Sequence, residues 1–270
     1  MMLKLLLGGS WSASTALHVL CGAVLFFLVA PLLVILPLSI NQEPYFTFPI
    51  LHYSTRWYEA LAQSPEWRLA AINSLLVALG ATVLATLLGT LAALGLSRPG
   101  FPGRTFIQGA LALPMVVPLV VIAASVYFLY SRIGLTGSFL GLILAHTTIA
   151  VPFVVITVTA TLSSFDYTLV RAAYSCGATP LHAFRTVTLP LILPGVLSGM
   201  IFAFIASLDD VVIALFIANA PQWTLPRQMW SGLRENIDPT ILAAAAIMTV
   251  ISITFQVTIE FLKRGKGKRP

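Results

Sequence analysis

VRAAYSCGATPLHAFRTVTLPLILPG, residues 170–195, is a helix-forming segment of mixed polar and apolar residues between two long apolar runs. Its prolines and glycines sit where the chain has to turn back into an apolar medium. Arg171, His182 and Arg185 stand among alanines and leucines, and Gly177-Ala178 interrupts the helical pattern in the middle. Thr179-Pro180 supplies a cap and first turn for a second short helix. The segment therefore reads as a helix-turn-helix lying against one face of a membrane, and the small residue at its bend leaves room for another protein's surface.

The rest of the chain supplies that membrane reading. With 58% hydrophobic and 9% charged residues over 270 positions, it is too apolar to wet the surface of a soluble core. Six stretches are long enough to cross a bilayer as helices, roughly 16–38, 69–96, 106–131, 138–161, 191–217 and 240–262. Leu113-Pro114 and Pro118 predict a kink or tilt in the third. The first run is longer than a signal-peptide core and no small-residue cleavage site follows it, so it is expected to stay as an anchor. Cys21 and Cys176 give no disulfide framework, and no Cys/His cluster has metal-site spacing. The net charge of +6 gathers beside apolar runs and in the tail KRGKGKR, a pattern for lipid headgroups rather than nucleic acid.

Orientation follows from the basic residues. With the N-terminus inside, the inner segments hold Lys4, Arg98, Arg104, Arg171, Arg185, Lys263, Arg264, Lys266, Lys268 and Arg269, and the outer ones Arg56, Arg68, Arg132, Arg227 and Arg234. Ten against five predicts both termini in the cytoplasm. The outer segment 39–68 contains STRWYEALAQSPEW, which reads as an amphipathic helix from Ser54 with Trp57, Tyr58 and Trp67 at headgroup level. It suits an interfacial anchor and a docking surface equally well. Asn73 and Ser74 open the second span, whose Gly89, Ala92, Ala93 and Gly95 favour close packing in a bundle. SRPGFPGR makes a tight inner turn and SRIGLTG a short outer one. His146, alone among apolar residues, reads first as a hydrogen-bonded packing element.

At the inner segment the chain resembles the permease subunits of ATP-binding-cassette importers. The pattern is an acidic residue, Ala-Ala, three residues, Gly, a Phe seven further on, and Leu-Pro. Ala172, Ala173, Gly177, Phe184, Leu189 and Pro190 match it, and Arg171 stands where the family has Glu. The stretches NSLLVALGATVLATLLGTLAALGL, HTTIAVPFVVITVTATLSSFD, FAFIASLDDVVIALFIA and TLPRQMWSGLRENIDPTILAAAAI look like the second permease subunit of bacterial polyamine (spermidine and putrescine) importers. The likeness covers about residues 70 to 260.

This resemblance implies an all-α membrane protein with six transmembrane helices, the type I ABC importer permease fold, and a coupling helix between spans four and five. The implied ATPase-coupling residues are Arg171, Ala172, Ala173, Gly177, Ala178, Phe184, Leu189 and Pro190. The domains are then a cytoplasmic N-terminus (1–15), a six-span permease domain (16–262) with the coupling segment 166–190 within it, and a basic cytoplasmic tail (263–270). The implied partners are a second homologous permease, two ATP-binding subunits, a periplasmic polyamine-binding protein and the lipids of a bacterial inner membrane. No cofactor is expected in this chain, ATP and Mg being bound by the partner ATPase; the chain has no glycine loop for phosphate. Nor has it a triad or paired carboxylates for enzyme chemistry.

Asp209 and Asp210 support a cationic cargo without the resemblance. Within an apolar span an ionised carboxylate costs several kcal/mol unless it is paired or faces water, so such residues mark pathways. Adjacent helical positions point about 100° apart, so one can face the pathway while the other caps, pairs or packs. A structural role for both is the competing reading. Tyr127, Tyr130, Trp223 and Trp230 offer aromatic faces for the ammonium groups of a polyamine, and Glu235 and Asp238 add negative potential at the mouth. Rivals are the same machine with another cargo (an amino acid, iron or an anion), an ion-coupled carrier working alone, and a membrane scaffold. Two aspartates argue against the anion, and the carrier leaves the inner segment unexplained.

Overall fold

The computed structural model describes residues 10–45, 48–98, 100–235 and 239–264. Lys4, Asp238 and the basic tail beyond Arg264 lie outside the described residues. The regular elements are helices: α1 (Ser10–Leu38), α2 (Arg56–Gln63), α3 (Pro65–Leu96), α4 (Arg104–Val116), α5 (Leu119–Ile133), α6 (Phe139–Ser163), α7 (Thr168–Ser175), α8 (Pro180–Ala183), a π-helical turn (Phe184–Thr188), α9 (Leu189–Leu208), α10 (Val212–Ile217), α11 (Leu225–Glu235) and α12 (Thr240–Arg264). Five stretches, α1, α3, α6, Pro180–Leu208 and α12, are long and apolar enough to cross a membrane. A sixth crossing is made if α4 and α5 count as one.

Contacts divide the chain into two units, one of Met1–Leu61 with Ile237–Val250, the other of Ala62–Asn236 with Ile251–Pro270. In the first, none of the most apolar stretch of α1 is buried within the chain. Polar bonds hold the segment after it: Ser39 Oγ lies 2.7 Å from Tyr58 Oη, and Trp57 Nε1 donates to the Asn41 carbonyl at 2.7 Å. The amphipathic helix expected across residues 54–67 is cut in two. Ser64 accepts a bond from the Trp67 N–H and Pro65 takes the first helical position, so Glu66 and Trp67 belong to α3.

The second unit is built on α3, α6 and α9, which pack on one another. Its helix-to-helix faces are small residues: Ala78, Ala81, Ala85, Gly89 and Ala93 on α3, and Gly195, Gly199 and Ala203 on α9. Lipid tails are as apolar as the side chains they would meet, so close van der Waals approach is what holds such helices together. A Cβ on Gly89 would stand 2.7 Å from Val154 Cβ, and one on Gly199 2.9 Å from Val154 Cα. Gly95, read with them in the sequence, has open space around it. Thr82 and Thr157 satisfy their hydroxyls within their own helices, on the carbonyls of Ala78 and Phe153.

Two expected spans differ from the sequence reading. The third is no kinked helix: α4 and α5 meet at 101°. Pro118 forces Val117 into an extended conformation (φ −71°, ψ 134°) and has no N–H to carry the helix on, so α4 stops and α5 starts afresh. The fifth, expected at 191–217, starts at Pro180, runs through the π-helical turn, and ends at Leu208. The two aspartates therefore occupy a break between α9 and α10 rather than the inside of a helix.

Gly199→Val is expected to lower the thermal unfolding midpoint of the detergent-solubilised protein, by overpacking worth about 1–3 kcal/mol. Gly95→Ala, in open space, should leave it unchanged or raise it, as read by circular dichroism.

Candidate functional site

The break after α9 opens on a cavity of about 500 Å³. Pro114, Met115, Val117 and Leu119 of the α4–α5 elbow, Ile149 and Phe153 of α6, and Ile205, Ala206 and Asp209 to Val212 line it. The elbow thus supplies a wall that no straight third span would provide. Neither a lysine nor an arginine is among the lining residues.

The aspartates divide their work. Asp210 is 5% exposed, and its Oδ2 accepts from the N–H groups of Ile213 (2.9 Å) and Ala214 (3.4 Å), capping α10. His146, fully buried on α6, stands beside it with Nε2 at 3.6 Å from Oδ2. The other ring nitrogen, Nδ1, donates to the Ser207 carbonyl at 3.1 Å and lies 2.8 Å from Ser207 Oγ. The expectation of a hydrogen-bonded packing histidine is met; its place beside Asp210, 64 residues along the chain, had no signal in the sequence. Asp209, by contrast, is exposed, and its carboxylate has no hydrogen-bond partner among the described residues.

The aromatic residues expected to hold cargo are not at this cavity. Tyr130 belongs to the core that α5, α6 and α10 share, with Ala123, Leu142, Ile213 and Ile217. Tyr127 is exposed on α5, its ring edge-on to Phe128. Trp223 and Trp230 already carry cations of the chain itself, the Arg227 guanidinium 4.2 Å above the first and Arg234 5.9 Å above the second. Glu235 ends α11; its side chain and Asp238 lie outside the described residues. Asn73 and Ser74, which sit well inside α3 rather than opening it, pin the turn before α11. Asn73 Nδ2 donates to the carbonyls of Pro221 and Trp223, both at 3.0 Å, and Ser74 Oγ accepts from the Leu225 N–H at 2.6 Å.

The second candidate surface is the segment between α6 and α9. Asp166 accepts from the Thr168 N–H at 2.8 Å, which starts α7. Its bonds to Thr168, and then the nearby Arg171, hold its carboxyl below the usual carboxylate range. α7 ends in a left-handed glycine, Gly177 at φ +81°. The Ala178 N–H bonds the Ala173 carbonyl at 3.0 Å and the Gly177 N–H that of Tyr174 at 2.9 Å, which uses up carbonyls the helix end would leave bare. Thr179 Oγ1 then accepts from the His182 N–H and Pro180 opens α8. The expected second short helix is continuous with the membrane-crossing one. Arg171, Ala172, Gly177 and Pro190 face outward, Ala173, Ala178, Phe184 and Leu189 are half-buried, and Leu169, Tyr174 and Leu181 leave apolar surface exposed beside them.

Residues 85–268 match the model of the family described as "Binding-protein-dependent transport system inner membrane component". The chain is 34% identical over 238 residues to the spermidine/putrescine transport system permease protein PotC of Haemophilus influenzae, covering 88% of this chain and 92% of that one. It is 34% identical over 251 residues to the putrescine transport system permease protein PotI of Escherichia coli K12, covering 90% and 89%. A chain from the crystal structure of a bacterial ABC transporter that imports the acidic polysaccharide alginate superposes with a TM-score of 0.68 over 94% of this chain and 95% of that one, at 16% identity.

Asp210→Ala is expected to speed amide hydrogen exchange across Val212–Ile217 about fivefold, the loss of a cap worth about 1 kcal/mol. Asp210→Asn, which keeps an accepting oxygen, should shift it less.

Proposed function

The chain belongs to the family of binding-protein-dependent transport system inner membrane components, and from that premise we propose that it is the permease subunit of an ATP-driven polyamine importer, forming half of the translocation pathway. The observation that carries the cargo reading is Asp209, an exposed carboxylate without a hydrogen-bonded partner, set in a largely apolar cavity at the end of a membrane-crossing helix. In such a place a fixed negative charge attracts a cation more strongly than it would in water. Two relatives named for spermidine and putrescine transport agree with it.

ATP and Mg are bound by separate ATPase subunits, two of which work with this chain, a second homologous permease and a periplasmic polyamine-binding protein. Arg171, Ala172, Gly177 and the exposed Leu169, Tyr174 and Leu181 form the seat for one ATPase. The positive-inside rule, applied to the sequence, supports a cytoplasmic side for this seat and for both termini. ATP-driven closure of the ATPases moves this seat, and α9, continuous with it, moves the wall bearing Asp209. Alternating access then needs the cargo to be held differently in two states. Asp209 faces the cargo, and Asp210 with His146 fixes the break that presents it.

Uptake of radiolabelled putrescine and spermidine into vesicles containing all partners tests this reading. Asp209→Asn is expected to cut uptake about tenfold while ATP hydrolysis persists; unchanged uptake removes Asp209 from the pathway. Gly177→Val should stop the ATPase co-purifying, whereas Gly177→Asn, which tolerates the left-handed conformation, should retain it. An ATPase that still binds the valine variant at full yield counts against the seat.

A further inference from the structure

Arg171 stands apart from the other arginines at its end of the helices, which Tyr167 Oη, donating to the Ser97 carbonyl at 3.4 Å, ties together. Arg98 follows α3 by two positions, Arg104 opens α4, and Arg185 lies within the stretch Pro180–Leu208, so each adjoins a helix of a membrane crossing. Cations in those places suit phosphate headgroups. α7 belongs to no membrane-crossing stretch, and Arg171 is exposed in the middle of it. Tyr174, three positions on and on the same face of α7, is 47% exposed, and Leu169 and Leu181 are exposed on the same segment. Asp166 is the one acidic residue between Ser163 and Pro190. Its carboxylate accepts from the Thr168 N–H at 2.8 Å, and although it feels the nearby guanidinium, the two form no salt bridge. The chain therefore supplies Arg171 with no ion pair of its own among the described residues.

A partner that covers Tyr174 also takes water from the guanidinium on the same face. A cation left dry and unpaired costs more than the apolar contact returns, so an anion has to arrive with the partner. Tyrosine and arginine are also the side chains on which contact energy concentrates, and the planar fork of a guanidinium matches a carboxylate with two parallel bonds. We propose that the ATPase surface seated on α7 presents an Asp or Glu carboxylate to Arg171, and that this pair decides which ATPase the permease accepts. An ATPase with a lysine or arginine at that point is refused by like-charge repulsion. Tyr174 anchors the contact and Arg171 selects the partner. This rests on the ATPase seat described above and adds to it the charge of the surface it receives.

The lysines of the chain are Lys4, Lys263, Lys266 and Lys268, so an amine introduced at position 171 is unique to its segment. The test uses the nanodisc-embedded pair of permeases with the ATPase added. In the Arg171→Lys variant a water-soluble carbodiimide, which joins an amine to a carboxylate in contact with it, is expected to yield a permease–ATPase conjugate that peptide mapping traces to an Asp or Glu of the ATPase. Arg185→Lys, at headgroup level, should give none. Without the reagent, Arg171→Gln should weaken ATPase binding about tenfold and Arg171→Glu about a hundredfold, alike in discs of phosphatidylcholine and in discs containing phosphatidylglycerol. Exchanging the mapped carboxylate for lysine should bring Arg171→Glu back to within about threefold of the wild type. No conjugate from Arg171→Lys, an equal one from Arg185→Lys, or full affinity in Arg171→Glu would overturn the pair, as would an effect confined to phosphatidylglycerol discs, which assigns Arg171 to lipid. Each of these leaves the seat itself, probed by Gly177→Val, standing. An ATPase that does not bind the wild-type pair at all would overturn both.

Discussion

Inside an apolar layer, a helix that stops must find partners for the backbone groups that its next turn would have taken, because no water is there to take them. The interruption after Leu208 meets that demand with one side chain. Asp210 gives its Oδ2 to the first free N–H groups of α10, while His146, tied to Ser207, stands with Nε2 3.6 Å from that same oxygen. With α10 secured in this way, Asp209 need satisfy nothing in the backbone. It is left as the exposed one of the two acidic residues that line the cavity. The cargo-facing charge in our reading thus depends on a neighbour that is buried and does no binding.

Much of this was legible in the residues. Apolar runs separated by proline-glycine turns and basic clusters placed the crossings, and Thr179-Pro180 and Gly177 marked where the segment between spans four and five turns, because caps and left-handed positions are local chemistry. Pairings between distant residues were not local and left no trace. His146 lies 61 positions from Ser207, and Asn73 about 150 from the carbonyls it holds. The break at Asp209-Asp210 was hidden by the apolar residues on both sides, which hydropathy reads as one run although a side chain has displaced the helix. The cations over the tryptophans were hidden for a related reason. An exposed aromatic face looks open to a cationic ligand until an arginine one turn along the same helix, or just inside it, is seen above it.

The elbow at Val117-Pro118 and the break at Asp209 meet at one place from opposite sides. Each is a helix interruption that a strictly regular bundle would lack, and both contribute walls to the cavity. Neither is costly here, since Pro118 has no N–H to strand and Asp210 serves those of α10. The close-packed trio of α3, α6 and α9 lies behind them and supplies the stiffness that the irregular wall does not.

Helix continuity from Pro180 to Leu208 has a mechanical meaning of its own. A rod of 29 residues is about 43 Å long, so a pivot of 10° at its Pro180 end sweeps the far tip through about 7.5 Å. That exceeds the width of an ammonium group with its first shell of contacts. In our reading, a modest tug on one foot of this lever is therefore enough to carry the Asp209 carboxylate out of reach of the cargo, with no rearrangement anywhere along the shaft.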